Sequence, residues 1–385
     1  MNRTKRLLLI FATVVLILGM WQIASVARPV IMAQATQNRL QQEIRSQGYT
    51  FNIGPNPATR RPLNQLAGTQ IPGNALQLAR RQTPLAASTE SRLPRSLGQQ
   101  QSFCSAGDRA FDWRRLDKVT PIREQGNCGS CWAFAAMAAF ESSALYHNNM
   151  NSSQLGSVAD GSEQHIVSCS GAGSCSGGWY YPAFEFMRKD GAVLEGQFPY
   201  QAQDVGCPNL NNATKFQAET WGFVSDYQEI PDVGDLKQAM CEHGPLAVAV
   251  NVTEFFQWYT GGVFNEKDRN GINHAVTLVG WDDNKKAWLM KNSWGTGWGE
   301  SGYMWIAYDS NNIGAYAAWV DARKFIGNSQ PQPDTNRNTN PNCPPGTPPF
   351  RCRNNGGNTT PPPPPPTNPN TNPNCPPGTP PFRCR

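Results

Sequence analysis

The run Gln125-Gly126-Asn127-Cys128-Gly129-Ser130-Cys131-Trp132-Ala133-Phe134 decides how the rest of the chain is read. From Cys131 to Leu145 the side chains are apolar on nearly all sides, the pattern of a helix buried all round. Cys131 would then stand at the helix N-terminus, where the macrodipole and free N–H groups favour the thiolate, the nucleophilic form of cysteine. A thiolate of this kind needs a base, and the chain holds four histidines: His147, His165, His243 and His274. His274 opens the apolar run Asn273-His274-Ala275-Val276-Thr277-Leu278-Val279-Gly280-Trp281, in which an edge imidazole could face the helix end. Eighteen residues later, Lys291-Asn292-Ser293-Trp294-Gly295-Thr296-Gly297-Trp298-Gly299-Glu300 offers an amide, Asn292, able to hold that imidazole in one orientation.

Outward from these runs, the part from Phe111 to about Phe325 holds 11 of the 12 tryptophans and is the expected folded body. After the helix come β-type runs at Leu246–Val250, His274–Trp281, Ala287–Lys291 and Tyr303–Tyr308. Helices first and strands afterwards argue for an α+β fold of two packed halves. The formal charge of +5 divides unevenly. Residues 1–104 carry 12 Lys and Arg against 2 Asp and Glu, residues 105–330 carry 16 against 25, and residues 331–385 carry 5 against 1. The folded part is acidic, so nucleic-acid binding is excluded as the meaning of the basic total.

Arg3, Lys5 and Arg6 precede the uncharged stretch Leu7–Ala27, the layout of an export signal. Cleavage after a small-x-small site and retention as a membrane anchor are both open. Residues 28–103 are rich in Gln, Asn, Arg and Pro, with one amphipathic stretch at Ala35–Ile44, and bury little on their own. Nineteen of the 32 prolines lie from Pro331 onward, in a tail where residues 339–353 and 371–385 are both TNPNCPPGTPPFRCR. The organisation expected is a signal or anchor at 1–27, an N-terminal segment at 28–103, the body at 104–327 and the repeat tail at 328–385. Membrane or cell-surface association would run through the first or the last of these.

The motifs resemble those of the papain-like cysteine peptidases. Cys128-Gly129-Ser130-Cys131-Trp132 fits that family's local signature, and His274 follows Cys131 by 143 residues, within its usual window. Phe111-Asp112-Trp113-Arg114, Ser162-Glu163-Gln164, Cys175-Ser176-Gly177-Gly178 and Phe198-Pro199-Tyr200 match in order. The resemblance implies a two-lobed fold, with a helical lobe carrying the catalytic helix and a β-barrel-like second lobe. It also implies Cys131 as nucleophile, His274 as general base and acid, Asn292 as its orienter and Gln125 as an oxyanion donor. Trp294 would shield the Asn292–His274 hydrogen bond, Gly177 and Gly178 would pair with extended substrate, and Tyr180, Ala249 and Ala275 would line the second specificity pocket.

By the same resemblance Cys128 pairs with Cys175 and Cys169 with Cys207, leaving Cys131 free. For Cys104 and Cys241 parity alone favours a bond, since spacing does not fix connectivity. No metal or cofactor is implied, because the clustered thiols lack histidines at zinc spacing. His147, His165 and His243 read as surface or capping groups. The expected activity is that of a secreted or otherwise extracytoplasmic endopeptidase acting on polypeptides, since the stretch from Gly178 to Cys207 lacks the paired-histidine insertion of the carboxydipeptidase branch. Gly48–Asn56 resembles the short inhibitory pro-segment of cathepsin B-like relatives, which makes residues 28–103 the expected intramolecular inhibitor. With 9 Arg against 2 Glu over residues 28–104, opposite charge would help hold it on the acidic body, with release favoured by acid and salt.

Overall fold

The structure, a computed structural model, describes residues 32–90, 103–153, 160–213, 215–226, 229–322 and 324–326. The expected signal or anchor, the two tail repeats and residues 91–102, the larger part of an expected maturation window from Leu85 to Phe103, lie outside the described residues. Among the described residues no helix is long and apolar enough to cross a membrane.

The N-terminal segment forms helix α1 (32–47), strand β1 (Phe51–Ile53), the single turn α2 (Leu63–Leu66) and helix α3 (Ala75–Glu90). The body begins with β2 (Ala110–Asp112), α4 (Cys131–His147), α5 (Glu163–Cys169), β3 (Gly173–Ser174), β4 (Gly177–Gly178) and α6 (Tyr180–Lys189). Next come β5 (Ala192–Val193), β6 (Lys215–Gln217), β7 (Thr220–Phe223), α7 (Val233–His243), β8 (Leu246–Val250), α8 (Glu254–Trp258) and β9 (Tyr259–Phe264). The last strands are β10 (His274–Asp282), β11 (Ala287–Lys291), β12 (Tyr303–Ala307), β13 (Ala315–Asp321) and β14 (Lys324–Ile326).

Every residue of α4 from Cys131 to Tyr146 is buried, as its all-round apolar sequence requires. The helix lies against β10, β13, β8 and α6, so the small side chains of Ala135, Ala139, Ala249, Ala275 and Ala318 let helix and sheet approach closely. The sheet runs β1-β9-β12-β11-β10-β8-β13-β7, and β2 takes up the edge of β10 beyond the end of β8. Among the described residues this sheet is open rather than a closed barrel, and its terminal strand β1 comes from the N-terminal segment.

A second cluster on the sheet's other side holds Trp258, Trp281, Trp288, Trp294, Trp298 and Trp319. Each buried indole removes on the order of 200 Å² from water, worth about 5 kcal/mol as an upper estimate, so this cluster anchors the sheet half. Among the described residues three disulfides join Cys104–Cys241, Cys128–Cys175 and Cys169–Cys207, and Cys131 is free.

The three other histidines are not surface groups. His165 is buried and held neutral, its pKa lowered to about 4 by burial and then by Lys215. His243 stacks on Trp319 with ring centroids 3.8 Å apart. The His147 side chain is 1% exposed beside Asp321. Polar neighbours in sequence around His147 and His165, and Gly244-Pro245 after His243, suggested surface positions, but α4 and α5 pack against several elements and α7 lies on the sheet.

Candidate active site

The loop before α4 is braced from the body side. Tyr200, from the Phe198-Pro199-Tyr200 motif, donates its hydroxyl to the Gln125 carbonyl at 2.8 Å and meets Ser130 Oγ at 2.6 Å. Ser162 caps α5 through the His165 N–H and also reaches the Phe198 carbonyl, so two of the matched motifs hold one another. Gly129 N–H donates to the Cys175 carbonyl at 2.8 Å beside the Cys128–Cys175 bond. Cys131 is thereby fixed as the first residue of α4, fully buried.

His274 stands at the first position of β10, opposite Val250, and its Nε2 lies 2.8 Å from Asn292 Oδ1. An amide oxygen only accepts, so the imidazole donates from Nε2 and presents Nδ1 unprotonated when neutral. Asn292 Oδ1 also accepts from the Ser293 N–H at 2.9 Å, which fixes the amide's sense. The buried Trp294 ring lies 4.9 Å from the imidazole, between centroids, and Phe256 of α8 approaches the same imidazole edge-on at 6.3 Å. Burial alone would raise the thiol pKa of Cys131. The charge of His274 and hydrogen bonds from His274, Thr69 and Gly68 outweigh it and bring the thiol to about 7.

Gln125 is fully buried, its Oε1 accepting from Ser293 Oγ at 2.7 Å, which turns its Nε2 donor toward the cleft. That donor reaches the Cys128 carbonyl at 2.8 Å and the Leu66 carbonyl at 3.1 Å. Trp294 Nε1 also points at the Leu66 carbonyl, at 3.4 Å. Two residues on, the Gly68 N–H donates to Cys131 Sγ at 3.3 Å, and the Thr69 hydroxyl lies 3.3 Å from the same sulfur. The N-terminal segment therefore meets the thiol with the Gly68 N–H and the Thr69 hydroxyl.

It then runs along the glycine edge. Gly178 N–H donates to the Gly68 carbonyl and Gln70 N–H to the Gly178 carbonyl, both at 2.9 Å, with Thr69 bridged in parallel to Gly178. The approach is close enough that a Cβ on Gly68 would lie 2.0 Å from the Gly129 carbonyl oxygen. Tyr180, Ala249 and Ala275 are buried in one cluster, against which Ile71 of the segment packs. The Tyr180 hydroxyl donates to the Tyr316 carbonyl at 2.7 Å, and its burial keeps the phenol neutral.

Further back the segment is seated on β9 and α8. Asn56 caps its own turn by accepting from the Ala58 and Thr59 N–H groups and donates to the Gln257 carbonyl at 2.9 Å. Phe51 packs on Phe264 at 4.5 Å between centroids. Arg39 pairs with Glu254 and Arg61 with Glu124, all four side chains partly exposed. The sequence pointed to residues 28–103 as an inhibitor on the acidic body, but Leu66, Gly68 and Thr69 were not legible in it, because three small or apolar residues in a loop carry no chemical signature of their own. Nor did it find α3, which contains Pro84 and so reads as interrupted.

The arrangement can ionise a thiol, protonate a leaving group from the imidazole and stabilise a developing oxyanion. A sequence profile described as papain family cysteine protease matches residues 108–320. Cathepsin L of Sarcophaga peregrina is 37% identical over 217 residues, 53% of this chain and 60% of that protein. Cathepsin K of Mus musculus is 37% identical over 213 residues, again 53% of this chain and 60% of that protein. The chain thus spans about three-fifths of the length of these relatives. Among solved structures, the digestive procathepsin L2 proteinase from the larval midgut of Tenebrio molitor superposes with a TM-score of 0.60 at 28% identity, covering 74% of this chain and 89% of that one. Profile, relatives and fold agree over the residues that build the cleft, and the chain belongs to the papain family of cysteine proteases.

Proposed function

We propose that the chain is an exported cysteine endopeptidase made as a latent precursor, with residues 28–103 as the inhibitory segment and 104–327 as the peptidase. One observation carries the latency. The same stretch of chain engages both halves of the machinery, its Leu66 carbonyl on the Gln125 and Trp294 donors and its Gly68 N–H and Thr69 hydroxyl on Cys131. Once it leaves, the Cys131 thiolate attacks a peptide carbonyl and Gln125 donates to the oxyanion, with the Cys131 N–H as second donor. His274, oriented by Asn292, protonates the departing amine, and water then hydrolyses the acyl-enzyme. Polypeptides would lie extended along Gly177 and Gly178, with a side chain directed to Tyr180, Ala249 and Ala275. The basic-then-apolar N-terminus and the three disulfides support export.

The decisive test is Cys131→Ser. A serine hydroxyl stays protonated beside His274, so hydrolysis of peptide substrates should fall by about four orders of magnitude or more while the melting profile is kept. An epoxide inhibitor should attach to Cys131 in the parent and nowhere in the variant. Retained hydrolysis in the variant would remove the mechanism.

A further inference from the structure

Behind the catalytic pair the body contains a buried charge cluster that the reaction does not use. Lys291, the last residue of β11 and the neighbour of Asn292, is 5% exposed, and its Nζ donates to the Thr120 carbonyl and to Thr120 Oγ1, both at 2.8 Å. Thr120 Oγ1 in turn donates to Glu141 Oε2 at 2.7 Å, and Glu141 Oε1 accepts the Gly161 N–H at 2.9 Å. Glu141 lies on α4, the helix that begins with Cys131. Arg123 and Glu163 border the same small cavity, of about 10 Å³, together with Glu141, Lys291, Asn292 and Ser293.

Two features turn this cluster toward the reaction. Among the described residues the buried Asn292 Nδ2 has no hydrogen-bond partner, so there the amide that orients His274 is held through Oδ1 and through the backbone it grows from. That backbone is laced to the segment following Thr120: Gln125 N–H donates to the Ser293 carbonyl at 2.8 Å and Gly295 N–H to the Arg123 carbonyl at 3.0 Å. Lys291 therefore ties the turn bearing Asn292, through Thr120 and Glu141, to the helix bearing the nucleophile.

We propose that Lys291, Thr120 and Glu141 form a positioning bridge that sets the Asn292 amide against His274 and keeps β11 in register with α4. The inference rests on the peptidase reading only for its kinetic consequence, since the orientation of His274 can be observed directly. The full-length chain is prepared with isotope-labelled histidine, and the His274 Nε2–H resonance is identified by comparison with His274→Asn. Thr120→Val keeps the shape but removes the shared hydroxyl, Lys291→Met removes the cation, and Thr120→Ser restores the oxygen.

Exchange of the Nε2 proton with water should be about tenfold faster in Thr120→Val, the effect of one lost hydrogen bond, and close to the parent's rate in Thr120→Ser. In peptide assays kcat of Thr120→Val should fall by a similar factor at unchanged KM. A folded Thr120→Val chain with parent-like proton exchange would overturn the proposal and leave the cluster a purely structural one, even if its melting temperature dropped. If Lys291→Met fails to fold, the valine and serine pair still decides. A parent chain with no peptidase activity would sink the proposed function, while the resonance would still report on the bridge.

Discussion

The N-terminal segment and the body reach burial by different routes. The body's apolar residues bury one another, with six tryptophans on one side of the sheet and the alanine-rich face of α4 on the other. The segment's buried residues are few, and Leu40, Phe51, Ile53, Ala58 and Leu66 all join a cluster dominated by body residues. Its strand β1 has no partner of its own and adds to the edge of β9. Its order is therefore borrowed from the surface it covers, whereas the body holds a self-sufficient core stapled by three disulfides. That difference would suit a removable inhibitor, and the segment is expected to lose its structure once it leaves the body.

The largest effect would come from separating the two. A synthetic peptide spanning 36–95 should show no cooperative melting by circular dichroism, gain structure on adding mature enzyme, and inhibit that enzyme at neutral pH. A cooperative transition in the free peptide would break the comparison, and absence of inhibition would sink the latency reading.

Next in size, Phe51→Ala in that peptide removes a ring packed on Phe264 and Phe255. A loss of about 3 kcal/mol would weaken inhibition by roughly two orders of magnitude, as measured by the inhibition constant.

A smaller effect is expected at the contact between the two regions. The Cys131 pKa near 7 lies below the ordinary thiol value, so the thiolate is present above that pH and is lost as pH falls through it. Thr69→Val removes one donor and should move this inflection upward by less than about one unit, followed by thiolate absorbance of the full-length chain. An unchanged inflection would mean that Gly68 and His274 suffice.

The smallest effect is assigned to the ion pairs. Arg39→Gln and Arg61→Gln each remove a partly exposed partner and should weaken inhibition by no more than about fivefold, less in high salt. A larger effect would mean that charge, rather than the apolar seat of Phe51, holds the segment in place.

Residues with strong local patterns were legible. The largely apolar run predicted α4 from its first residue, and the apolar strands at Leu246–Val250 and Ala287–Lys291 fall where the pattern put them. Cys131, His274 and Asn292 were readable because each chemical type stood at the start or end of such an element. Polar groups inside the fold were not. Lys291, Thr120 and Glu141 look like ordinary surface residues of a strand, a loop and a helix, and only the fold, which brings the Thr120 loop to both β11 and α4, makes them neighbours.

By itself the sequence determined the α+β class, the nucleophile's helix and the acidic body set against a basic N-terminal segment, because these depend on composition and on periodicity along one element. Tertiary structure decided that the sheet stays open with β1 on its edge, that Cys104 joins Cys241, and that three histidines lie in the interior. It also decided that Leu66, Gly68 and Thr69 sit on Gln125 and Cys131. Each of these depends on which distant surfaces meet. Burial and hydrogen bonding act between residues dozens to hundreds of positions apart, and no local pattern encodes such a meeting.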